Sequence, residues 1–321
     1  MFIRDVLIGA LLSAAALMAY VTATGGCSPP PVAVKAHASQ GSAVSGALAV
    51  AERTQSRYFS LLEAAITGAI SDEVGMCGGG EGGCELAKLK PYEPERRAYG
   101  NDWPPGGQTM IGLARMRNIR MAVEAVVADG VPGDFVELGV WRGGACIYAK
   151  VLLDTLEPRG KRRVVLFDIF GAIDQYESGT SFLAVSEEKV RANFEKYDAL
   201  DDRVDFVKGL FKDTVDQHAA DRAGAPIAVL RLDSNFYDSL QDSLYSFYEA
   251  VPVGGFVIFD DIRSHPDVRK SWDHFCTDQG VDEPLTLVDA KDPHSSWFRK
   301  RHAVKVDQSK RRPFFDVNKP K

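Results

Sequence analysis

The sequence predicts an α/β protein with a doubly wound, mostly parallel sheet and helices on both faces. After residue 133, short apolar runs alternate with stretches of helical periodicity. The runs are continuous in Val, Ile, Leu and Phe, as expected for strands that are buried on both faces. The predicted strands cover residues 134–140, 163–170, 203–209, 227–233 and 254–261.

Helical periodicity is found both before and between these strands. Apolar residues recur at helical spacing over residues 58–66 and again over residues 116–127. In a doubly wound sheet, ligands bind beyond the carboxyl ends of the strands, so functional residues are expected there. The helices between the strands are expected to begin near Gly144, Ser186, Asp213 and Ser239.

Composition limits the possible classes of protein. The chain has 321 residues, and 38 Lys and Arg against 44 Asp and Glu give a net charge of −6. Hydrophobic residues make up 45% and charged residues 26%, which excludes wholesale disorder and fibrous repeats. Because phosphate binding needs a cationic face, the negative charge argues against a nucleic acid partner. We assign residues 53–305 to one large domain.

The N-terminal segment is unlike the rest of the chain. Residues 6–23 are uncharged and would span about 27 Å as a helix, close to a hydrocarbon core of about 30 Å. We interpret residues 1–25 as a signal anchor or a cleaved signal peptide, with lipoprotein-type cleavage before Cys27 or a buried core helix as alternatives. Residues 26–52 are predicted to be a flexible linker. The protein would then be anchored in a membrane or located in a secretory lumen.

Cysteines and the basic C-terminus allow weaker inferences. Cys77 and Cys84 bracket a glycine-rich loop and could form a disulfide in an oxidising lumen, or remain as two unpaired thiols. Zinc is disfavoured, because no second Cys/His pair lies at ligand spacing. Residues 306–321 form a basic tail, expected to be a solvated end that could contact anionic lipid headgroups.

The first two strand ends suggest a nucleoside site. Glu137 and Gly139 begin the pattern E-x-G-x-x-x-G-G, which differs from the dinucleotide pattern G-x-G-x-x-G. Asp168 ends the next strand, where a carboxylate can accept both ribose hydroxyls. A nucleoside without a phosphate-binding loop fits S-adenosylmethionine better than NAD. The alternatives are a plain tight turn and an Asp that caps a turn.

The later strand ends suggest a metal site. Asp233 ends the fourth predicted strand, and Asp260 and Asp261 end the fifth. Three carboxylates in one crevice repel one another unless they are neutralised, and Mg²⁺ with oxygen ligands would do this. The alternative is that Asp260 or Asp261 caps the next helix.

Several long blocks of sequence resemble the macrocin O-methyltransferase family. They include GQTMIGLARMRNI, GVPGDFVELGVWRGGA, IAVLRLDSNFYDS and VGGFVIFDDI, and the resemblance covers about residues 58–299. It implies a Rossmann-like class I methyltransferase fold with a seven-stranded sheet, dependence on S-adenosylmethionine and Mg²⁺, methylation of sugar hydroxyls, and often a homo-oligomer.

The resemblance also implies roles for particular residues. The metal would be bound by Asp233, Asp260 and Asp261, and Gly209 and Phe211 would lie near the adenine. The other residues that would bind the cofactor are Thr109, Met110, Glu137, Gly139, Trp141, Arg142, Gly143 and Asp168.

Three departures from the family pattern bear on the acceptor and the base. Ser234 and Asn235 follow Asp233 where the family has Gly-Asp, and Ile262 replaces a tyrosine. The acceptor-side loop over residues 173–180 lacks the histidine of the antibiotic enzymes. The acceptor and the base therefore do not transfer from the family.

The sequence thus predicts a methyltransferase that acts on a hydroxyl of a sugar or polyol. The acceptor proton would go to Asp233 or to His265. A catechol-like acceptor is one alternative, although Phe236 stands where the catechol-type enzymes have a lysine. A degenerate methyltransferase fold that serves as a binding scaffold is another. NAD-dependent oxidoreduction is disfavoured by the glycine spacing.

Overall fold

The structure, a computed structural model, describes residues 37–77, 89–172 and 183–312. The chain divides into two compact units, residues 1–54 and 55–321. Helix α1 (His37–Ile66) begins in the first unit and ends in the second. The predicted flexible linker over residues 26–52 is therefore wrong from His37 onwards, where the chain is helical. Alanine, which has the highest helix propensity, recurs throughout this segment and explains the difference.

Short elements that the sequence did not indicate precede the sheet. Strands β1 (Met76–Cys77) and β2 (Asp102–Trp103) form an antiparallel pair, and helix α2 (Pro94–Ala98) lies between them in the chain. Buried Arg97 fixes this region, since its Nε donates to Asp102 Oδ1 at 2.7 Å and its Nη1 to the Thr67 carbonyl at 2.9 Å. Helix α3 (Gly112–Ala128) follows and confirms the second helical pattern.

The five predicted strands are present, each shortened by up to two residues at either end. Wherever two of these five strands are adjacent in the sheet, they are parallel. Residue pairing places Glu137 beside Leu166 on one side and Arg231 on the other. The strands are β3 (Asp134–Leu138), β4 (Val164–Asp168), β5 (Val204–Lys208), β6 (Ile227–Leu232) and β7 (Phe256–Phe259).

The four helices between the predicted strands begin within two residues of their predicted starts, and a fifth helix, whose start the sequence did not predict, follows β7. Ser186 caps one of them, its hydroxyl accepting from the Lys189 N–H at 3.3 Å. The last of them has Pro266 in its first turn and ends at Gly280 in a left-handed conformation. The helices are α4 (Gly144–Leu156), α5 (Glu187–Lys196), α6 (Phe211–Asp221), α7 (Tyr237–Phe247) and α8 (Pro266–Gln279).

Two antiparallel strands complete a sheet of seven. These are β8 (Thr286–Leu287) and β9 (Ser296–Arg299), and β9 pairs with β7. The strand order is β5-β4-β3-β6-β7-β9-β8. Because the chain moves outwards from β3 to β5 and then returns to begin β6, its order reverses between β3 and β6. In such sheets the ligand crevice opens at this point, beyond the carboxyl ends of the strands.

Apolar side chains cover both faces of this sheet. One core cluster contains Met116 of α3, Ile147 of α4 and Phe194 of α5. The other contains Leu244 of α7 and Phe275 of α8, together with Val215 of α6. The predicted doubly wound architecture, with helices on both faces, is therefore confirmed.

Some predictions fall outside the described residues. These are the hydrophobic segment over residues 6–23, Cys84 with its possible disulfide, and the loop over residues 173–180. Within the described ranges, none of the helices combines the length and the apolar character that a membrane crossing needs. The signal anchor and the disulfide therefore stay predictions.

The described part of the basic tail is not a free solvated end. Arg311 Nη1 lies 2.7 Å from Asp216 Oδ2, and its Nη2 lies 2.6 Å from Asp242 Oδ1. Arg312 Nη2 lies 3.1 Å from Asp278 Oδ1. These arginines pair with acidic side chains of α6, α7 and α8, which corrects the expectation of a solvated end.

Candidate active site

The candidate site lies where the chain order reverses, between the ends of β3 and β6. Asp233 donates its backbone N–H to the Leu138 carbonyl at 2.9 Å, and so continues the pairing of the two strands. Gly139 follows Leu138 with φ of 89°, in the left-handed region. A Cβ at residue 139 would lie far inside contact distance of the Asp233 carbonyl oxygen. Glycine is therefore required here both by conformation and by space.

Asp168, the predicted ribose ligand, holds the turn that follows Gly139. Its Oδ2 accepts the N–H groups of Val140 at 2.9 Å and Trp141 at 3.3 Å, and its Oδ1 accepts that of Phe170 at 2.9 Å. Trp141 has φ of 48°, a strained value for a residue with a side chain. Burial raises the pKa of Asp168, although the backbone N–H groups favour its charged form. Its contact with a ribose stays a prediction.

Arg142, also predicted to bind the cofactor, is directed at a neighbouring loop. Its Nη1 donates to the carbonyl oxygens of Pro104 at 3.0 Å, Pro105 at 2.8 Å and Gly107 at 2.8 Å. Its guanidinium carbon also lies 4.1 Å from the centre of the Trp141 ring. Arg142 thus connects the turn over residues 139–144, here called the glycine-rich turn, to the loop that leads into Thr109 and Met110.

The remaining predicted cofactor residues lie around the same crevice. The N–H of Gly144 donates to the Gln108 carbonyl at 3.0 Å, which brings buried Thr109 next to the start of α4. The N–H of Gly209 donates to the Asp168 carbonyl at 3.0 Å. Phe211 is the first residue of α6 and packs against the second core cluster. A Cβ at Gly143 would meet Val190 of α5, so α5 packs closely on the turn.

Glu137 lies in the interior rather than at the surface of the crevice. It is 2% exposed, its Oε2 accepts the Cys146 thiol at 2.7 Å, and its Oε1 pairs with Arg231. Burial raises the pKa of Glu137 and that of the Cys146 thiol as well. Its predicted cofactor role is untested, and any effect on the cofactor would act through the turn above it.

The structure brings the three predicted metal ligands together. Asp233, Asp260 and Asp261 each offer a carboxylate oxygen, and the three oxygens lie within 4.8 Å of one another. Burial raises the pKa of Asp233 and of Asp261, and repulsion from Asp260 raises both further. Burial also opposes ionisation of Asp260, but two arginines lower its pKa below the ordinary value. The crevice therefore concentrates negative charge.

Those two arginines are functional candidates that the sequence reasoning missed. Arg231 of β6 pairs with Glu137 and Asp260, and its Nη1 lies 2.9 Å from Asp233 Oδ2. Arg115 of α3 lies 2.6 Å from Asp260 Oδ2 through its Nη1. Two sequence features could have indicated them. Arg231 is a charged residue inside the otherwise apolar strand IAVLRLD, and Arg115 lies on the buried face of a helix.

Two histidines lie near the carboxylates. His265 is 42% exposed, and its Nδ1 lies 3.7 Å from Asp261 Oδ1, so the structure brings this predicted base beside the cluster. His294, which the sequence reasoning missed, has a pKa lowered by burial and by Arg115. Its Nε2 lies 3.4 Å from Asn101 Oδ1, and it directly precedes the block that leads into β9.

The residues present fit a divalent cation. Oxygen ligands are those that Mg²⁺ prefers, and Asp233, Asp260 and Asp261 supply them from two adjacent strand ends. Arg231 pairs with Glu137, Asp233 and Asp260, and Arg115 pairs with Asp260 and Asp292, so together with Asp261 the carboxyl groups outnumber the two guanidinium groups. Ile262, where the family has tyrosine, is 1% exposed within the core and takes no part.

The fold and the crevice define a Rossmann-like class I methyltransferase. Residues 57–300 match the model of the family described as macrocin-O-methyltransferase (TylF), and the chain belongs to that family. It is therefore an S-adenosylmethionine-dependent O-methyltransferase, which confirms the predicted enzyme class, fold and organic cofactor.

Individual relatives agree with this assignment. The chain is 40% identical over 210 residues to demethyldecarbamoylnovobiocin O-methyltransferase of Streptomyces niveus, covering 62% of this chain and 79% of the relative. It is 38% identical over 213 residues, 61% and 78% of the chains, to 8-demethyl-8-(2,3-dimethoxy-alpha-L-rhamnosyl)-tetracenomycin-C 4'-O-methyltransferase of Streptomyces olivaceus. The solved structure of the O-methyltransferase NovP has a TM-score of 0.65 and 34% identity, over 77% of this chain and 99% of that chain.

Proposed function

We propose that the protein methylates a hydroxyl of a sugar or polyol acceptor and that Mg²⁺ assists at Asp233, Asp260 and Asp261. The observation that carries this proposal is the convergence of the three carboxylates beside the glycine-rich turn. The sugar acceptor is supported by the Streptomyces olivaceus relative, whose name specifies a rhamnosyl group. Phe236, in place of the lysine of the catechol-type enzymes, favours a sugar over a catechol.

The chain's own residues would arrange an in-line displacement. The acceptor oxygen forms a bond to the methyl carbon while the carbon–sulfur bond of the sulfonium breaks, and the hydroxyl proton passes to a base. Mg²⁺, when bound, lowers the pKa of an oxygen that it contacts and orients that oxygen. Holding the two reactants in line can contribute about 7–11 kcal/mol to lowering the barrier.

Asp233 is the base that the geometry favours. It lies at the point where the chain order reverses, and its backbone carbonyl is in contact with Gly139 of the glycine-rich turn. His265 is the alternative base, but it is exposed and contacts the outer residue of the cluster, Asp261.

The direct test uses the full chain, labelled S-adenosylmethionine and a panel of glycosides, free sugars, polyols and phenols. Metal is first removed with EDTA, and Mg²⁺ is then restored. We expect label in a sugar or polyol product only after Mg²⁺ is restored. If only phenols become labelled, the acceptor is a phenol rather than a sugar or polyol. If transfer is equally fast in EDTA, Mg²⁺ has no part in the reaction.

We also propose that residues 1–25 direct the protein to a membrane or a secretory lumen. The support is the uncharged segment over residues 6–23, whose length is close to that of a membrane span. Fractionation of cells that express the full chain or a chain without residues 1–25 tests this. Equal recovery of both in the cytosolic fraction, with neither in the membranes nor in the secretory lumen, would contradict it. Self-association, which the family resemblance suggests, is checked by light scattering on the same samples.

A further inference from the structure

The buried side chain of Arg231 connects β3, the strand that leads into the glycine-rich turn, to the carboxylate cluster of Asp233, Asp260 and Asp261. Arg231 of β6 is 1% exposed and contacts Glu137 of β3, Asp233 after β6 and Asp260 after β7. These three elements are neighbours in the sheet, and Arg231 lies on the middle one. One guanidinium therefore contacts carboxylates from three adjacent strand ends.

Asp260 is held from a second side as well. Arg231 pairs with its Oδ1, and Arg115 of α3 lies 2.6 Å from its Oδ2. Arg115 Nε also lies 3.6 Å from Asp292 Oδ2, within ion-pair distance but beyond that of a hydrogen bond. Both carboxylate oxygens of Asp260 thus have a fixed partner, and each keeps a lone pair for a further contact.

Geometry makes such anchoring important for a cation. A guanidinium is a planar fork whose donors match carboxylates, and less conformational freedom is lost for each bond than with a lysine. Mg²⁺ requires near-octahedral oxygen ligands at about 2.0–2.1 Å, so displaced carboxylates bind it poorly. Residues that hydrogen-bond to metal ligands typically change metal affinity about 10–100-fold when they are replaced.

We propose that Arg231 is a positioning residue that holds Asp233 and Asp260 in the arrangement that binds the cation. Through Glu137, it also fixes both carboxylates relative to the strand that carries the glycine-rich turn. The inference depends on the proposed Mg²⁺ function and extends it to a residue that does not itself touch the metal.

The test compares two buried arginines. In Arg231→Lys the positive charge stays while the fork is lost, so the variant separates positioning from charge. Arg97→Lys is the matched control, since Arg97 is also 1% exposed and pairs with Asp102 outside the cluster. Calorimetric titration with Mg²⁺ alone, on the full chain, gives the affinity, and thermal unfolding gives the stability.

We expect both variants to unfold at lower temperature and only Arg231→Lys to bind Mg²⁺ at least tenfold more weakly. Unchanged Mg²⁺ affinity in Arg231→Lys would overturn the positioning role and leave the metal proposal intact. No Mg²⁺ binding by the wild type would overturn the metal proposal and this inference with it. If Arg231→Lys does not fold, Arg115→Lys tests the anchoring of Asp260, the ligand that both arginines contact. At least tenfold weaker Mg²⁺ binding is expected, and unchanged affinity would overturn the claim that arginine pairing of Asp260 positions the metal ligands.

Discussion

The carbonyl oxygen of Asp233 lies so close to Gly139 that no side chain fits at residue 139. Gly139 follows β3 and belongs to the glycine-rich turn. Asp233 follows the neighbouring strand β6 and belongs to the carboxylate cluster. A displacement of the backbone at either residue would therefore move both halves of the site. This contact places the turn directly beside the carboxylate cluster.

Gly139→Ala is expected to abolish binding of S-adenosylmethionine and to lower stability. A left-handed backbone costs a non-glycine residue about 1–2 kcal/mol, and the new methyl group would also overlap the Asp233 carbonyl. The control is Gly130→Ala, since Gly130 has φ of 63° with open space around its Cβ position. Calorimetry with S-adenosylmethionine and thermal unfolding measure the two effects. Equal behaviour of the two variants would contradict the close contact.

Arg142→Lys is expected to weaken binding of S-adenosylmethionine about tenfold. The change removes hydrogen bonds from a charged donor to three loop carbonyls, each such bond contributing about 1.5–3 kcal/mol when well formed. The loop leads into Thr109 and Met110, so its displacement would disturb the cofactor. Arg117→Lys, at a side chain that is 65% exposed, serves as the control. Wild-type affinity in Arg142→Lys would show that the loop does not support the cofactor.

Asp201 is expected to make the free energy of unfolding decrease as the pH falls below about 4. Burial opposes its ionisation, but hydrogen bonds from Arg203 and Lys150 lower its pKa to about 2, against about 3.9 in an unfolded chain. As pH falls, the Asp201 carboxyl of the unfolded chain therefore takes up its proton before that of the folded chain does. The stabilisation by ionised Asp201 is present above about pH 4 and is lost as the pH falls towards 2. Asp201→Asn should therefore be less stable than the wild type at pH 7 and nearly equal to it near pH 2.

Guanidinium chloride unfolding at several pH values measures this difference. The exposed neighbour Asp202 supplies the control variant Asp202→Asn, which removes a carboxylate without touching the pairs of Asp201 with Arg203 and Lys150. A stability difference for Asp201→Asn that is the same at pH 7 and pH 2 would contradict the ionic origin of the effect.

The strands and the acidic residues at their ends could be predicted because both are local properties of the sequence. Continuous apolar runs placed β3 to β7 to within two residues, and Asp168, Asp233 and Asp260 follow from the strand ends. The partners of these carboxylates could not be predicted. Arg115 and Asp260 are 145 positions apart, and only the packing of α3 against the sheet brings them together.

The internal contacts of two residues predicted to bind the cofactor could not be predicted from the sequence either. Arg142 donates to loop carbonyls and Glu137 is buried under the turn, while their roles toward the cofactor stay predictions. Pattern identifies which residues matter near a site, but the direction of a long side chain depends on the tertiary contacts available to it. The helix over residues 37–52 was missed for a different reason, since its composition resembles that of a linker.

Transfer of labelled methyl by Asp233→Asn, measured with Mg²⁺ and the acceptor panel, tests the proposed site most directly. Calorimetry with S-adenosylmethionine on the same variant reports whether the cofactor half stays intact, and His265→Gln serves as the comparison. We expect Asp233→Asn to lose transfer at least a hundredfold while cofactor affinity changes less than about threefold, and His265→Gln to lose less than tenfold. Wild-type transfer by Asp233→Asn would contradict the assignment of the site.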